Sequence, residues 1–300
     1  MAGKERVEAL RLRMRQEQID TYIIPTEDDH QSEYVADYWK VRQWLSGFTG
    51  SAGTLVVTQE AAGLWTDGRY YIQAEAQLQG TDISLFRAGE PGVPSYMAWV
   101  KDHTPAGGTV GFDGRTFSAA AVKSMKRLFQ DKQLKLDGSA IWRARCGEDR
   151  PALPGGMVTD LPVEYAGRRG ADKLRRLRTH MEAQNEAYWI LASLDAIAWL
   201  FNIRGADVRR IHRLYMRMRV LAGTGAAPLF VDSAKIPSAL ALALLEDQVV
   251  VEPYDGLPEF LSASRRAVLP MIRSAELNQR LREAIPVLWP TVRKGIRLLG

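Results

Sequence analysis

The stretch 42–54 holds residues whose spacing could support chemistry, because Gly47, Gly50 and Gly53 recur at every third position. A glycine-rich loop binds phosphate when it leads into the N-terminus of a helix, where free backbone N–H groups meet the anion. Here the glycines lead into Thr54-Leu-Val-Val-Thr58, a β-branched run that predicts a strand. The order of the residues therefore favours a turn that leads into a strand over a phosphate site.

Two further sets of polar residues flank this turn. His30, Glu33 and Arg42 lie in the loop before it, and a histidine, a carboxylate and a guanidinium are able to pair and hold such a loop together. Asp67 and Arg69 follow the next predicted strand. We expect Asp67 to cap the helix that begins there by accepting hydrogen bonds from N–H groups of its first turn. This role is structural, so we do not expect the pair to be catalytic.

The histidines give no pattern that is typical of a metal site. His30, His103, His180 and His212 lie in unrelated predicted elements, and none of them belongs to a His-Glu-x-x-His pair. A dinuclear centre needs several carboxylates and a histidine that converge on two ions. We therefore predict no metal ligands and no cofactor in these 300 residues.

Composition narrows the class of protein. A single cysteine, Cys146, excludes an internal disulfide and fits a reducing compartment. No apolar run reaches the roughly 18 residues that a membrane helix needs, and the charged N-terminus does not look like a signal peptide, so we expect a cytoplasmic protein without a membrane contact. Six arginines between Arg204 and Arg219 are the one nucleic-acid signal. Only Tyr215 interrupts them as an aromatic residue, so a stacking platform is missing and nucleic-acid binding is the less favoured function.

Helical and strand patterns alternate through the first part of the chain, which predicts an α/β domain with a mixed sheet flanked by helices. One of the predicted helices covers 69–78, and its pattern indicates that Ile72, Ala76 and Leu78 face inward. Prolines and glycines then interrupt the pattern over 139–168, which is typical of a linker.

Beyond the linker, the first helix–strand unit recurs at an offset of 167 residues. The apolar positions of the first helix have counterparts in a second one: Val7, Leu10 and Met14 correspond to Leu174, Leu177 and Met181. With small gaps, Trp44 and Gly50 correspond to Trp199 and Gly205, and we expect both tryptophans to be core anchors. The pattern indicates a duplicated domain and not a solenoid, which requires three or more short repeats.

Four motifs together resemble Xaa-Pro aminopeptidase (aminopeptidase P), in the three-domain form of the creatinase/prolidase superfamily. They are His30-Gln-Ser-Glu-Tyr34, Ser46-Gly-Phe-Thr-Gly-Ser-Ala-Gly-Thr54, Trp65-Thr-Asp-Gly-Arg-Tyr70 and the stretch 194–207. The resemblance extends over about residues 5–285.

The resemblance implies two tandem creatinase N-terminal-like domains over 1–138 and 169–286, joined by the linker 139–168. It implies that 287–300 begins a third, catalytic domain that this chain does not contain. In the family that domain binds two divalent metal ions, usually manganese, and releases an N-terminal residue that precedes proline. We therefore expect a non-catalytic portion of such a metallopeptidase, inactive alone, that would meet proline-containing peptides only if a catalytic domain is supplied.

The resemblance also implies roles for His30, Glu33 and Arg42. In the family, the N-terminal domain of one subunit helps to close the substrate pocket of its neighbour. These three residues are candidates for the rim of that pocket or for a domain contact, and the loop-holding role remains equally open. The implied partner is a second copy in a homodimer or a full-length homologue. An alternative function is a free-standing assembly module that pairs with such a homologue.

Overall fold

The structure is a computed structural model, and it forms two compact units. The first unit comprises Met1–Asp29 and Glu33–Ala152, and the second comprises His30–Ser32 and Leu153–Gly300. The residues that the structure describes are 3–139, 151–184, 188–208, 216–221, 226–263, 272–273, 279 and 292–293.

The first unit alternates helices with strands, as predicted. Its helices are α1 (Gly3–Gln16), α2 (Val41–Ser46), α3 (Tyr71–Gln77), α4 (Tyr96–His103) and α5 (Ala119–Leu128). Its strands are β1 (Thr21–Pro25), β2 (Thr54–Thr58), β3 (Ala62–Thr66), β4 (Ser84–Arg87), β5 (Thr109–Phe112) and β6 (Lys135–Asp137).

These six strands form one mixed sheet in the order β4-β3-β2-β1-β5-β6. Only β2 runs antiparallel to its neighbours. The other five strands therefore end at the same edge of the sheet, which we call the carboxyl edge. The sheet is buried on both faces, since Leu55 and Val57 belong to one core cluster and Val56 to the other. This alternation explains why β2 is an unbroken apolar run.

Of the residues predicted to face inward along helix α3, only Leu78 is buried. Ile72 is 87% exposed and Ala76 is also exposed, whereas Ala74 and Leu78 are buried. The helix begins at Tyr71, and Ala74 and Leu78, which are four residues apart and so share one face, pack in the core of the first unit. The inward orientation predicted for Leu78 is confirmed, whereas those predicted for Ile72 and Ala76 were wrong.

The second unit contains five helices among the residues that the structure describes. They are α6 (Val163–Ala166), α7 (Gly170–Ala183), α8 (Leu194–Phe201), α9 (Ser238–Glu246) and α10 (Leu257–Ala263). The strands described for this unit are β7 (Thr159–Asp160), β8 (Tyr188–Leu191), β9 (Ile203–Arg204), β10 (Met216–Leu221), β11 (Ala227–Val231), β12 (Val249–Glu252), β13 (Ile272–Arg273) and β14 (Val292–Arg293).

The second unit repeats the architecture of the first. Its four-stranded sheet has the order β12-β11-β10-β8, and its strand directions match those of β4-β3-β2-β1. Both ends of α7 lie 167 residues after the ends of α1. The fold therefore confirms two tandem α/β domains.

A cation–tryptophan clamp is also duplicated. The Arg6 guanidinium lies 4.5 Å from the centroid of the Trp44 ring and donates a hydrogen bond to the Trp44 carbonyl. At the same offset of 167 from Arg6, the Lys173 ammonium lies 4.4 Å from the Trp199 ring and donates to the Trp199 carbonyl.

Trp199 is 37% exposed, so its predicted role as a core anchor was wrong. The tryptophan instead joins two helices through a cation on the first of them. Gly205, which follows β9, is buried.

The predicted linker is wrong over its second half. Val158 is 1% exposed and packs in the core of the second unit, and β7 pairs with β9. The residues around Val158 therefore form ordered structure despite the prolines and glycines near them. The buried side chain of Val158 anchors them in the core of the second unit. Residues 140–150 fall outside the described residues.

A buried ion pair holds the start of this segment. Lys235 Nζ lies 2.9 Å from Asp207 Oδ2, with both side chains almost fully buried. Asp207 Oδ1 also accepts a hydrogen bond of 3.1 Å from the Gly156 N–H, and the Lys235 carbonyl accepts one of 2.9 Å from the Val158 N–H. The pair therefore fixes three separate stretches of the second unit.

We predict that Asp207→Asn lowers the free energy of unfolding by about 3–5 kcal/mol, because it leaves the Lys235 ammonium buried without its counter-charge. Urea denaturation followed by circular dichroism measures the change. The matched control is Asp172→Asn, which removes an exposed partner of Arg175 and should cost roughly 0–1 kcal/mol. Equal losses in the two variants would contradict the role assigned to the buried pair.

The turn before β2 is organised around a buried guanidinium. Arg42 is 3% exposed. Its Nε donates to Thr26 Oγ1 at 2.6 Å, its Nη1 donates to the Phe48 carbonyl at 3.1 Å, and its Nη2 donates to the Gly50 carbonyl. Gly47 ends α2 in the left-handed region, with φ of +76°. The glycines then lead into β2, as the sequence predicts.

Gly50 is required by a close approach. A Cβ atom at this position would lie 2.2 Å from the Phe48 ring, which is itself fully buried. We predict that Gly50→Ala costs about 1–3 kcal/mol of unfolding free energy, because the ring must move within a packed core. Gly155→Ala is the control, since a Cβ there meets nothing within 4 Å, and it should change stability by less than about 0.5 kcal/mol. A neutral Gly50→Ala variant would refute this account of the turn.

Candidate functional site

The carboxyl edge of the first unit carries two Asp-Gly-Arg turns of the same geometry. Asp67 and Arg69 follow β3, and Asp113 and Arg115 follow β5. In each turn the aspartate Oδ1 accepts from the backbone N–H and the Nε of the arginine, and Oδ2 accepts from Nη2. The three distances are 3.1, 2.8 and 2.8 Å in the first turn and 2.9, 3.1 and 3.0 Å in the second. A planar bidentate pair of this kind holds the guanidinium in one orientation.

The two turns differ in exposure. The side chains of Asp113 and Arg115 are 7% and 24% exposed, and the Arg115 guanidinium lies 5.4 Å from the Trp39 ring. The side chains of Asp67 and Arg69 are 40% and 68% exposed. The second turn is therefore part of the packed structure, whereas the first presents its ion pair to solvent.

Asp67 does not cap α3, so that prediction was wrong. The residue before the helix is Tyr70, which makes no side-chain cap, and the Asp67 carboxylate is occupied by Arg69. The hydrogen bond from Arg69 lowers the pKa of Asp67, and the hydrogen bond from Asp67 raises the pKa of Arg69. Both groups are therefore charged at neutral pH, and the pair carries no net charge.

Arg69 keeps hydrogen-bonding capacity toward solvent. Its Nε and Nη2 serve Asp67, while Nη1 has no hydrogen-bond partner among the residues that the structure describes. The charge of Glu33, which is exposed, contributes to the raised pKa of Arg69. The Arg69 guanidinium also lies 5.2 Å from the Tyr70 ring.

Neutral hydrogen-bonding groups lie beside this ion pair. Ser51 Oγ and the Tyr70 hydroxyl are 2.6 Å apart. Thr49 donates its backbone N–H to Gln77 Oε1 at 2.9 Å, and its hydroxyl accepts from Gln73 Nε2 at 2.7 Å. Hydroxyl and amide groups are complementary to peptide N–H and C=O groups. The edge is therefore suited to contact with a peptide or a protein loop.

The predicted set of His30, Glu33 and Arg42 does not form. His30 belongs to the second unit and is 5% exposed. Its Nδ1 lies 2.7 Å from the Ala192 carbonyl and its Nε2 lies 2.7 Å from the Tyr254 hydroxyl. Arg42 is buried in the turn before β2, so Glu33 alone of the three is exposed.

Arg42 has a structural role in the first unit. Burial lowers the pKa of Arg42 to about 10, which leaves the guanidinium charged at neutral pH. Its three donor nitrogens are occupied by oxygen atoms of the turn and of the loop that follows β1. A buried cation with its donors satisfied fixes backbone and is not available to a substrate.

In the arginine-rich stretch 204–219, the contacts that the structure describes for Arg204 are structural and give no support for nucleic-acid binding. Arg204 Nη1 donates to the carbonyls of Ala198 and Ile203, at 3.3 and 2.9 Å, and so helps to end α8. Residues 209–215 fall outside the described part of the chain.

The described ranges contain no group of three or more His, Cys, Asp or Glu side chains placed to hold a metal ion. Within the same ranges, no helix has the length and apolar character needed to cross a membrane.

Comparison with known proteins places both units in one family. The description "Creatinase/Prolidase N-terminal domain" matches residues 6–146 and, through a second form of the domain, residues 149–294. The chain is 39% identical over 246 residues to "Aminopeptidase P2" of Arabidopsis thaliana, which covers 80% of this chain and 34% of that protein. It is 37% identical over 259 residues to "Probable Xaa-Pro aminopeptidase P" of Talaromyces marneffei, covering 84% of this chain and 38% of that protein.

The fold is also found in a solved structure. The X-prolyl aminopeptidase of Caenorhabditis elegans, described as "a cytosolic enzyme with a di-nuclear active site", superposes with a TM-score of 0.91 at 26% identity. The match covers 99% of this chain and 50% of that one. The chain thus spans about half of this structure and roughly a third of the two curated relatives named above. This chain belongs to the creatinase/prolidase N-terminal domain family, as two tandem domains that correspond to the N-terminal portion of Xaa-Pro aminopeptidase-like proteins.

Proposed function

We propose that this chain serves as the non-catalytic N-terminal portion of an Xaa-Pro aminopeptidase and that its carboxyl edge helps to close the substrate pocket. The observation that carries the proposal is the exposed Asp67–Arg69 pair, which stands beside neutral hydrogen-bonding groups in a chain related to aminopeptidases P. The two divalent metal ions belong to the catalytic domain that the longer relatives supply. The working assembly is a cytoplasmic homodimer or a complex with a full-length homologue.

The chemistry of the edge fits the substrate of such an enzyme. An Xaa-Pro peptide has a positively charged N-terminus, and its proline nitrogen carries no hydrogen, so recognition depends on carbonyl acceptors. Arg69 Nη1 can donate to a peptide carbonyl, since Asp67 already fixes the orientation of its guanidinium. Glu33 can attract the N-terminal ammonium group across water.

The three residues singled out from the sequence then have separate roles. Glu33 contributes to the rim of the pocket together with Arg69. Arg42 holds the turn that carries Ser51, which bonds to Tyr70. His30 holds the segment 30–32 within the second unit, through the contacts of its two ring nitrogens with the Ala192 carbonyl and the Tyr254 hydroxyl.

We predict that the purified chain alone does not hydrolyse an Xaa-Pro peptide, because no dinuclear site can form without the catalytic domain. Added to a separately produced catalytic portion of the Arabidopsis relative with manganese, the chain should raise kcat/KM for an Xaa-Pro peptide. In that mixture Arg69→Gln should raise KM by about tenfold with little change in kcat, the signature of a contact made equally in the ground and transition states.

The matched control is Arg175→Gln, which removes another exposed arginine of an Asp–Arg pair, this time from α7 in the second unit. It should leave both kinetic constants unchanged. Metal-dependent hydrolysis by the chain alone would refute its non-catalytic role. Equal effects of the two arginine substitutions would refute the assignment of the carboxyl edge.

A further inference from the structure

A groove with apolar walls runs beside α9 in the second unit. Its volume is about 560 Å³, and its apolar lining comes from α6, α8, α9 and the segment that follows β7. The large apolar side chains of this lining include Leu161, Val163, Phe201, Leu240 and Leu244. Sites for small molecules are clefts of about 300–1000 Å³ with mainly apolar walls and a few polar groups that orient the ligand. The groove has the size and the walls of such a site.

Two opposite charges lie where this groove meets a second one. The second groove, of about 660 Å³, is lined mainly by charged and polar side chains of α7 and of residues 246–248. Arg169, which directly precedes α7, and Asp247, which directly follows α9, line both grooves. These two residues therefore stand at the border between an apolar compartment and a polar one.

Neither charge has a side-chain partner in the part of the chain that the structure describes. Arg169 is exposed and Asp247 is half-buried, and no ion pair or side-chain hydrogen bond joins either of them to a described residue. By contrast, Asp172 in the second groove pairs with Arg175 at 2.9 Å. A guanidinium and a carboxylate that line one groove without pairing with each other are both available to a ligand.

The two charges select the chemistry of that ligand. A guanidinium donates hydrogen bonds to carboxylate oxygens, and a carboxylate accepts them from an ammonium group. Asp247 and Glu246, which lines the second groove, would repel a phosphate or another simple anion, and Arg169 would repel a simple cation. A small zwitterion satisfies both groups at once, and the apolar walls can enclose an apolar side chain.

We propose that this groove binds a small zwitterion with an apolar side chain, a free amino acid or a dipeptide. The carboxylate of the ligand contacts Arg169, its ammonium group contacts Asp247, and its side chain lies against Phe201 and Leu240. Molecules of this class are what an aminopeptidase consumes or releases. The site belongs to the second unit alone, and its occupancy does not depend on the role proposed for the carboxyl edge.

Saturation-transfer NMR with the full chain tests the proposal, because it detects weakly bound ligands. We expect L-leucine or L-leucyl-L-leucine to bind with a Kd on the order of 1 mM, since contacts with partly exposed charges are screened by water and salt. The better of the two probes shows whether the charges are spaced for an amino acid or for a dipeptide. N-acetylation of that probe removes its ammonium group and amidation removes its carboxylate, and each change should weaken binding at least about tenfold.

Substitutions in the chain test the assignment of each charge. Arg169→Gln and Asp247→Asn should each raise the Kd at least about tenfold, because each removes one charged contact. The matched controls are Arg168→Gln and Asp255→Asn, which remove exposed charges that line neither groove. Both controls should bind the probe as the unchanged chain does, and circular dichroism should show all four variants folded.

Three results would each overturn the proposal. The first is the absence of binding by either probe at about 20 mM, well above the expected Kd. The second is binding of the N-acetylated or amidated probe as tightly as of the probe itself. The third is equal binding by the Arg169 and Asp247 variants and by their controls.

Discussion

One buried guanidinium, that of Arg42, fixes the turn before β2 in the first unit. Arg42 is a cation in an almost fully buried position, and its burial is tolerated because three oxygen atoms accept its hydrogen bonds and the Phe48 ring lies 4.8 Å away. Two of those oxygens, on Phe48 and Gly50, belong to the glycine-rich turn itself. The guanidinium therefore decides the path of the turn, and through it the position of Ser51 against Tyr70 and the place where β2 begins.

The two units have the architecture of a duplicated domain, but they differ in some of their side-chain contacts. Both retain a cation on the first helix that stacks on a tryptophan of the second and donates to its carbonyl, Arg6 with Trp44 and Lys173 with Trp199. In the first unit, β5 leads into the second Asp-Gly-Arg turn at the carboxyl edge. In the second unit, the buried ion pair between Asp207 and Lys235 holds the segment 156–158 through two backbone hydrogen bonds. The cation–tryptophan clamp is thus shared by the two units.

The sequence predicted those features that depend on local pattern. The apolar runs of β2 and β3 and the offset between α1 and α7 agree with the structure, because strand burial and helix periodicity are written in neighbouring residues. The repeated Asp-Gly-Arg tripeptide was also visible in the sequence. Its second occurrence, after β5, was the signal that would have revealed the paired turns.

Features that depend on distant partners were not predictable in this way. His30 bonds to a carbonyl 162 positions away, so its neighbours in sequence could not show that it would separate from Glu33 and Arg42. Val158 lies among prolines and glycines, and only the core that surrounds it shows that the segment is not a linker. The face that α3 buries, with Ala74 and Leu78, is set by the distant core residues that pack against it, and Ile72 is exposed although its side chain is apolar.

The central claim is that the carboxyl edge of the first unit faces the catalytic portion of the enzyme. Site-specific photo-crosslinking tests it most directly, with a cysteine-linked probe at Ser51→Cys in a Cys146→Ser background and the catalytic portion of the Arabidopsis relative as partner. The account predicts a crosslink from position 51 to that portion, and a strong reduction of it by an Xaa-Pro peptide that occupies the pocket. No crosslink from position 51, together with a crosslink from a matched probe at the exposed Tyr165→Cys, would contradict it.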